Sequence, residues 1–151
     1  MRTGEEDTIN IRPMTRDDIH AVLALDKKLG NGRGLLSDKD MAATNPGGPL
    51  DLSFVAEVEG HLIGFIMSRL AYLMIPLNEV CIIQGMLIDP AYQRRGTGRR
   101  LLQTLLDYCQ SEEISIIRAL IPERNEELRH FFEAYGFHRS TIINYDKTFE
   151  S

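Results

Sequence analysis

Arg94, Arg95, Gly96, Thr97, Gly98, Arg99 and Arg100 follow one another without interruption, in a chain whose formal net charge is −5. A basic cluster in an acidic chain needs a local reason. After Gly98 the residues Leu101, Leu102, Leu105, Leu106 and Cys109 recur at helical spacing, so the arginines crowd the start of a helix. The macrodipole is already positive there, and each added cation costs roughly 0.3–1 kcal/mol unless something negative sits beside it. The two glycines let backbone N–H groups approach a ligand closely. An anion site, and phosphate above all, is the chemistry these residue types suit.

Two familiar phosphate motifs do not fit. A nucleotide P-loop requires Gly-x-x-x-x-Gly-Lys-Ser/Thr, and this loop has no lysine. A dinucleotide fingerprint requires a third glycine where Leu101 stands.

The elements that must position the loop are legible on either side of it. Val80 to Ile88 is a near-continuous apolar run, the pattern of a strand buried on both faces, and Asp89-Pro90 ends it. The order is therefore strand, loop, helix. The run Gln93-Arg-Arg-Gly-Thr-Gly98 after Leu87-Ile-Asp-Pro90 resembles the Gln/Arg-x-x-Gly-x-Gly/Ala signature of GNAT-type N-acetyltransferases. In that superfamily the signature grips the pyrophosphate of acetyl-coenzyme A.

Along the chain, Thr8 to Arg12 alternates as a strand, and Thr15 opens a helix running to about Leu29. A glycine-rich connection follows from Gly30 to Pro49, with a short helical piece near Ser37 to Ala43. Leu52 to Val58 and Leu62 to Leu73 flank Glu59-Gly60-His61 as a hairpin. Ile114 to Ile121 reads as a strand, a helix carries Leu128, Phe131, Phe132 and Tyr135, and Phe137 to Phe149 supplies one or two last strands. The expected fold is α/β: a mixed, mostly antiparallel sheet of about six or seven strands with helices on both faces. Residues 1–7 are expected to be a flexible tail and 8–151 a single domain.

A second likeness stands near the end. Asn125, followed by Phe-Phe-Glu-Ala-Tyr-Gly-Phe137, resembles the GNAT pattern Asn … Tyr-x-x-x-Gly-Phe. The resemblance covers residues 8 to 149. It implies splayed central strands, with the backbone of Met86, Leu87 and Ile88 holding pantetheine and polarising the thioester carbonyl. It implies that Gln93, Arg94, Arg95, Gly96, Thr97, Gly98 and Arg99 hold the pyrophosphate, and that Asn125 contacts the pantetheine or phosphate region. Gly85 is suited to a bulge at the splay. In the family the 30–49 segment helps form the acceptor pocket, and homodimers are common.

The likeness fails at the proton-transfer groups. The tyrosine that protonates the leaving thiolate is replaced here by Phe132, which has no proton to give. Glutamates that act as base in some relatives fall on Ile82 and Leu120. Gln84 (to hold a water), Glu123 and Tyr145 are the remaining catalytic candidates. No metal-ligand set is assigned.

The expectation is an acetyl-CoA-dependent N-acetyltransferase acting on a primary amine, a small molecule or a protein N-terminus or lysine, by direct attack in a ternary complex. Ping-pong transfer would need a nucleophile at the thioester, and none stands there. The alternative is a non-catalytic acyl-CoA-binding sensor or interaction domain. Acidic charge argues against nucleic-acid binding, and no apolar run approaches the roughly 20 residues of a membrane span. The polar, acidic N-terminal residues are unlike a signal peptide, so a cytoplasmic protein is expected. Cys81 and Cys109 are expected to be buried, reduced thiols.

Overall fold

The computed structural model describes residues 8–30, 32 and 34–150; the expected tail at 1–7 lies outside them. By internal contacts the chain divides into two compact units, one ending at Leu120 and the other beginning at Ile121.

The first unit holds a five-stranded sheet in sequence order: β1 (Asn10–Pro13), β2 (Phe54–Val58), β3 (His61–Leu73), β4 (Asn78–Ile88) and β5 (Ile116–Ala119). Every pairing is antiparallel except the last, β4 with β5, which is parallel. That parallel step needs a crossover, and α3 (Thr97–Ser111) supplies it.

Alternation along β2 shows how the two faces are covered. Val55 joins Phe65 and Met67 in a cluster with Val22 and Leu25 of α1 (Ile19–Leu29), Met41 of α2 (Asp38–Thr44), and Met14. Phe54, one residue earlier and so on the opposite face, meets Tyr108 of α3 edge to face at 6.1 Å. Leu101, Leu102, Leu105 and Cys109 make α3's buried stripe. Cys81 and Cys109 are free and fully buried, and the neighbouring Cys109 thiol together with burial pushes the Cys81 thiol up. No helix among the described residues is long and apolar enough to cross a membrane.

Polar ties hold the start of the chain. The Arg12 guanidinium donates two bonds to Asp18 (2.8 and 2.9 Å) and two to Glu57 on β2 (3.1 and 3.2 Å). Asp18 also accepts the Thr15 N–H at 2.7 Å, fixing the turn that enters α1. Asp26 in α1 is buried and accepts the Leu36 N–H at 2.7 Å, pinning the far end of the glycine-rich connection.

The second unit contains α4 (Glu126–Glu133) and an aromatic cluster in which Phe132 contacts Phe131 and Phe137 at centroid distances of 5.4 and 5.1 Å. Here the expectation of one or two closing strands is corrected. Residues 138–150 carry no ladder, and Ile142, Ile143, Tyr145 and Phe149 are exposed. Among the described residues the sheet has five strands, not six or seven. Apolar residues favour a strand only where an edge pairs their backbone and a neighbour covers their side chains.

Candidate active site

The site begins at an irregularity in β4. Met67 pairs with Gly85 and Ser68 with Ile83, so Gln84 has no partner on β3 and is the extra residue of a bulge. Gly85, suited by sequence to that role, is its neighbour. A Cβ on Gly85 would meet nothing within 4 Å, so packing does not demand glycine there. Gly64 across the ladder differs: its Cβ would stand 2.9 Å from Ile88 Cδ1 and 3.0 Å from the Leu87 carbonyl oxygen.

On the other side, β5 follows β4 only to the rung Ile83–Ala119. From Gln84 to Ile88 the strand therefore has one neighbour. The Asp89 N–H donates to the Ile63 carbonyl at 2.8 Å, which fixes the phase of the ladder. Antiparallel residues alternate between bonding toward the partner and bonding away from it. Leu87, two residues back, bonds toward β3, and Met86 and Ile88 direct their N–H and C=O groups to the open edge. An extended polar ligand can pair with that edge as a strand would.

Asp89 closes the strand. It is 8% exposed, accepts the Ala91 N–H at 3.0 Å and lies 2.9 Å from the Lys28 ammonium of α1. The Ala91 N–H first, and Lys28 second, hold its carboxyl below the usual carboxylate range. Pro90–Tyr92 makes one tight turn, and the chain then enters the arginine loop.

Arg94 and Gly96 both take left-handed φ, 66° and 77°. Gly96 is the N-cap of α3, so no side chain caps the first N–H groups of that helix. Its first turn has no acid. Thr97 is buried and donates to the Tyr92 carbonyl at 3.4 Å, while the Arg95 guanidinium lies 5.1 Å over the Tyr92 ring. Gln93, Arg94, Arg99 and Arg100 are exposed and Gly98 is half-buried. A fifteen-residue helix with a side-chain-free N-terminus and flanking arginines is built to receive an anion.

Met86, Leu87, Ile88 and the loop Gln93–Arg99 thus come together around the end of β4. The other named residues belong to the second unit. Asn125 is the N-cap of α4, its Oδ1 accepting the Leu128 N–H at 3.1 Å. Glu123 is exposed and 3.7 Å from Arg139. Tyr145 is 92% exposed on the segment without ladder. Phe132, at the position of the family's tyrosine, is buried. Sequence reasoning missed Lys28: its partner is 61 residues away, and no spacing links the two.

This chain matches the Acetyltransferase (GNAT) family over residues 26–137, and it belongs to that family. Among curated relatives, it is 29% identical over 76 residues to the Escherichia coli ribosomal protein bS18-alanine N-acetyltransferase, covering 50% of this chain and 51% of the relative. It is 25% identical over 91 residues to an uncharacterised N-acetyltransferase of Methanocaldococcus jannaschii, covering 60% of this chain and 40% of the relative. The chain thus spans about half the length of these relatives. Among solved structures, an aminoglycoside N-acetyltransferase in complex with CoA superposes with a TM-score of 0.77 at 19% identity, covering 97% of this chain and 99% of that one. The Escherichia coli ribosomal-protein-S18-alanine N-acetyltransferase gives a TM-score of 0.73 at 20% identity, covering 89% of this chain and 80% of that one. These structures share the fold.

Proposed function

We propose that this protein is an acetyl-CoA-dependent N-acetyltransferase that transfers an acetyl group to a primary amine by direct attack in a ternary complex. The observation that carries the reading is the continuity of two binding surfaces: the open β4 edge from Gln84 to Ile88 runs into the uncapped N-terminus of α3. A ligand with a hydrogen-bonding chain joined to a pyrophosphate matches both. The family match across residues 26–137 supports treating 8–151 as one domain.

Acetyl-CoA, as co-substrate, supplies the thioester: its C–S bond breaks as the amine's C–N bond forms, and the amine loses one proton. Met86 and Ile88 offer open-edge N–H groups, one of which would stabilise the oxyanion that develops on the carbonyl. Thr97, Gly98 and Arg99 offer helix N–H groups, and Arg94, Arg95 and Arg99 add charge toward the pyrophosphate. Gln84, exposed on the bulge, would hold a water that carries the amine's proton away. Glu123 and Tyr145 remain the candidates for base and acid, and Asn125 for a pantetheine or phosphate contact. Positioning alone supplies much of an acyl-transfer rate, so the thiolate can leave into solvent where Phe132 replaces the family's tyrosine. Two reduced, buried cysteines suit a cytoplasmic setting.

Phe132 also supports a second reading, a non-catalytic acyl-CoA sensor. Thiol release from acetyl-CoA in the presence of an amine panel separates the two. The enzyme reading predicts amine-dependent release with acetylated product. Saturable acetyl-CoA binding with no amine-dependent release would replace it with the sensor.

A further inference from the structure

Three residues on neighbouring strands form one rung beside the bulge: Arg69 on β3 pairs with Ile82 on β4, which pairs with Arg118 on β5. Directly opposed residues share a face, so two arginine side chains leave the sheet on either side of one isoleucine. Strands lie about 4.8 Å apart, which puts the two arginine Cα atoms on the order of 10 Å apart. Two arginine side chains can span that gap and converge above Ile82.

The surroundings give Arg69 no carboxylate in its row but Asp51, and Arg118 none. Arg69, Ile82 and Arg118 are all half-buried. The next rung on the same face is Ala71, Val80 and Ile116, and the rung on the other side pairs Met67 with Gly85. Asp51 bridges to Arg69 at the far end of the row, but its oxygens accept the N–H groups of Gly47 at 2.9 Å and Ser53 at 3.2 Å. Neither guanidinium has a hydrogen-bond or ion-pair partner among the described residues. A half-buried cation among apolar neighbours is costly unless an anion joins it.

The rung stands one residue before the last β4–β5 rung, at the apex of the opening. At about 3.3 Å per residue, Gln84 to Met86 lie roughly 7–13 Å farther along β4. We infer that the acceptor is a small amine carrying a carboxylate, which Arg69 and Arg118 hold roughly 7–13 Å from the reacting nitrogen. This rests on the acetyltransferase reading and narrows it: a polycationic acceptor would meet two like charges.

The test compares amines that differ only in the carboxylate, namely lysine against 1,5-diaminopentane and 6-aminohexanoate against pentylamine, by acetyl-CoA-dependent thiol release. The carboxylated member of at least one pair is expected to have a kcat/KM tenfold or more higher. Arg69→Gln and Arg118→Gln should each shrink that ratio about tenfold through KM, and Arg118→Glu should reverse it. The acetyl-CoA melting shift reports whether each variant is folded and holds the co-substrate. A wild-type ratio of one or less, a ratio untouched in folded variants, or turnover of other amines but of no carboxylated one would overturn the inference alone, whereas a melting shift with no turnover of any amine would replace the enzyme reading with the sensor. Absence of any acetyl-CoA melting shift in the wild type would instead sink the acetyltransferase reading beneath it.

Discussion

The Lys28 ammonium lies 2.9 Å from the Asp89 carboxylate, joining the last turn of α1 to the residue at which β4 ends. The pair is unequal. Asp89 is buried and also caps the turn through the Ala91 N–H, whereas the Lys28 side chain is 64% exposed.

Asp89→Ala should therefore cost about 0.5–2 kcal/mol, the scale for losing a side-chain N-cap. Lys28→Ala should cost under about 1 kcal/mol. Urea denaturation of the two variants beside the wild type checks the order. Equal losses would contradict it.

Arg12, Asp18 and Glu57 set a dependence on pH. Hydrogen bonds from Arg12, foremost among the causes, hold both carboxyls below their usual range. A carboxyl whose pKa is lower folded than unfolded contributes stability in full above its unfolded pKa, and the contribution fades as pH falls through the folded one. Asp89 has the same sign. Stability should thus be flat from neutral pH down to about 5 and decline below about 4. Asp18→Asn should be less stable than wild type at pH 7 and lose less on acidification. Melting temperatures across pH 2.5–7 would show the two curves converging; parallel curves would mean that Asp18 contributes nothing to the acid sensitivity.

Gly64 and Gly85 make opposite predictions though they lie only three rungs apart in the β3–β4 ladder. Gly64→Ala forces a Cβ against Ile88 and the Leu87 carbonyl, costing about 1–3 kcal/mol. Gly85→Ala places its methyl in open space and should leave stability within about 0.5 kcal/mol. If pantetheine lies along this edge, the same methyl should weaken acetyl-CoA binding. Thermal melts with and without acetyl-CoA read both effects.

The local part of this architecture was legible because its signals are local. The apolar run, Asp89-Pro90, the paired glycines and the leucine spacing place strand, loop and helix within a residue or two of β4, the loop and α3. The bulge was not legible in detail, because the extra residue is defined by what β3 offers opposite it; glycine drew attention to position 85 while Gln84 carries the irregularity. Lys28–Asp89 and the Arg69–Ile82–Arg118 rung depend on register between distant segments, which composition does not encode. In 138–150, Ile142, Ile143, Tyr145 and Phe149 suggested strands, but a strand exists only when an edge pairs it.

If the Gly96–Gly98 loop at the start of α3 holds the pyrophosphate of acetyl-CoA, as proposed, a thermal melt of wild type beside Gly98→Glu will show it. A ligand at 100 times its Kd stabilises by about 2.7 kcal/mol, roughly 5–11 °C for a domain of this size. That shift is expected in the wild type and its loss in a folded Gly98→Glu, where the added carboxylate would repel the phosphates. An undiminished shift in Gly98→Glu, or none in the wild type, would contradict the proposal.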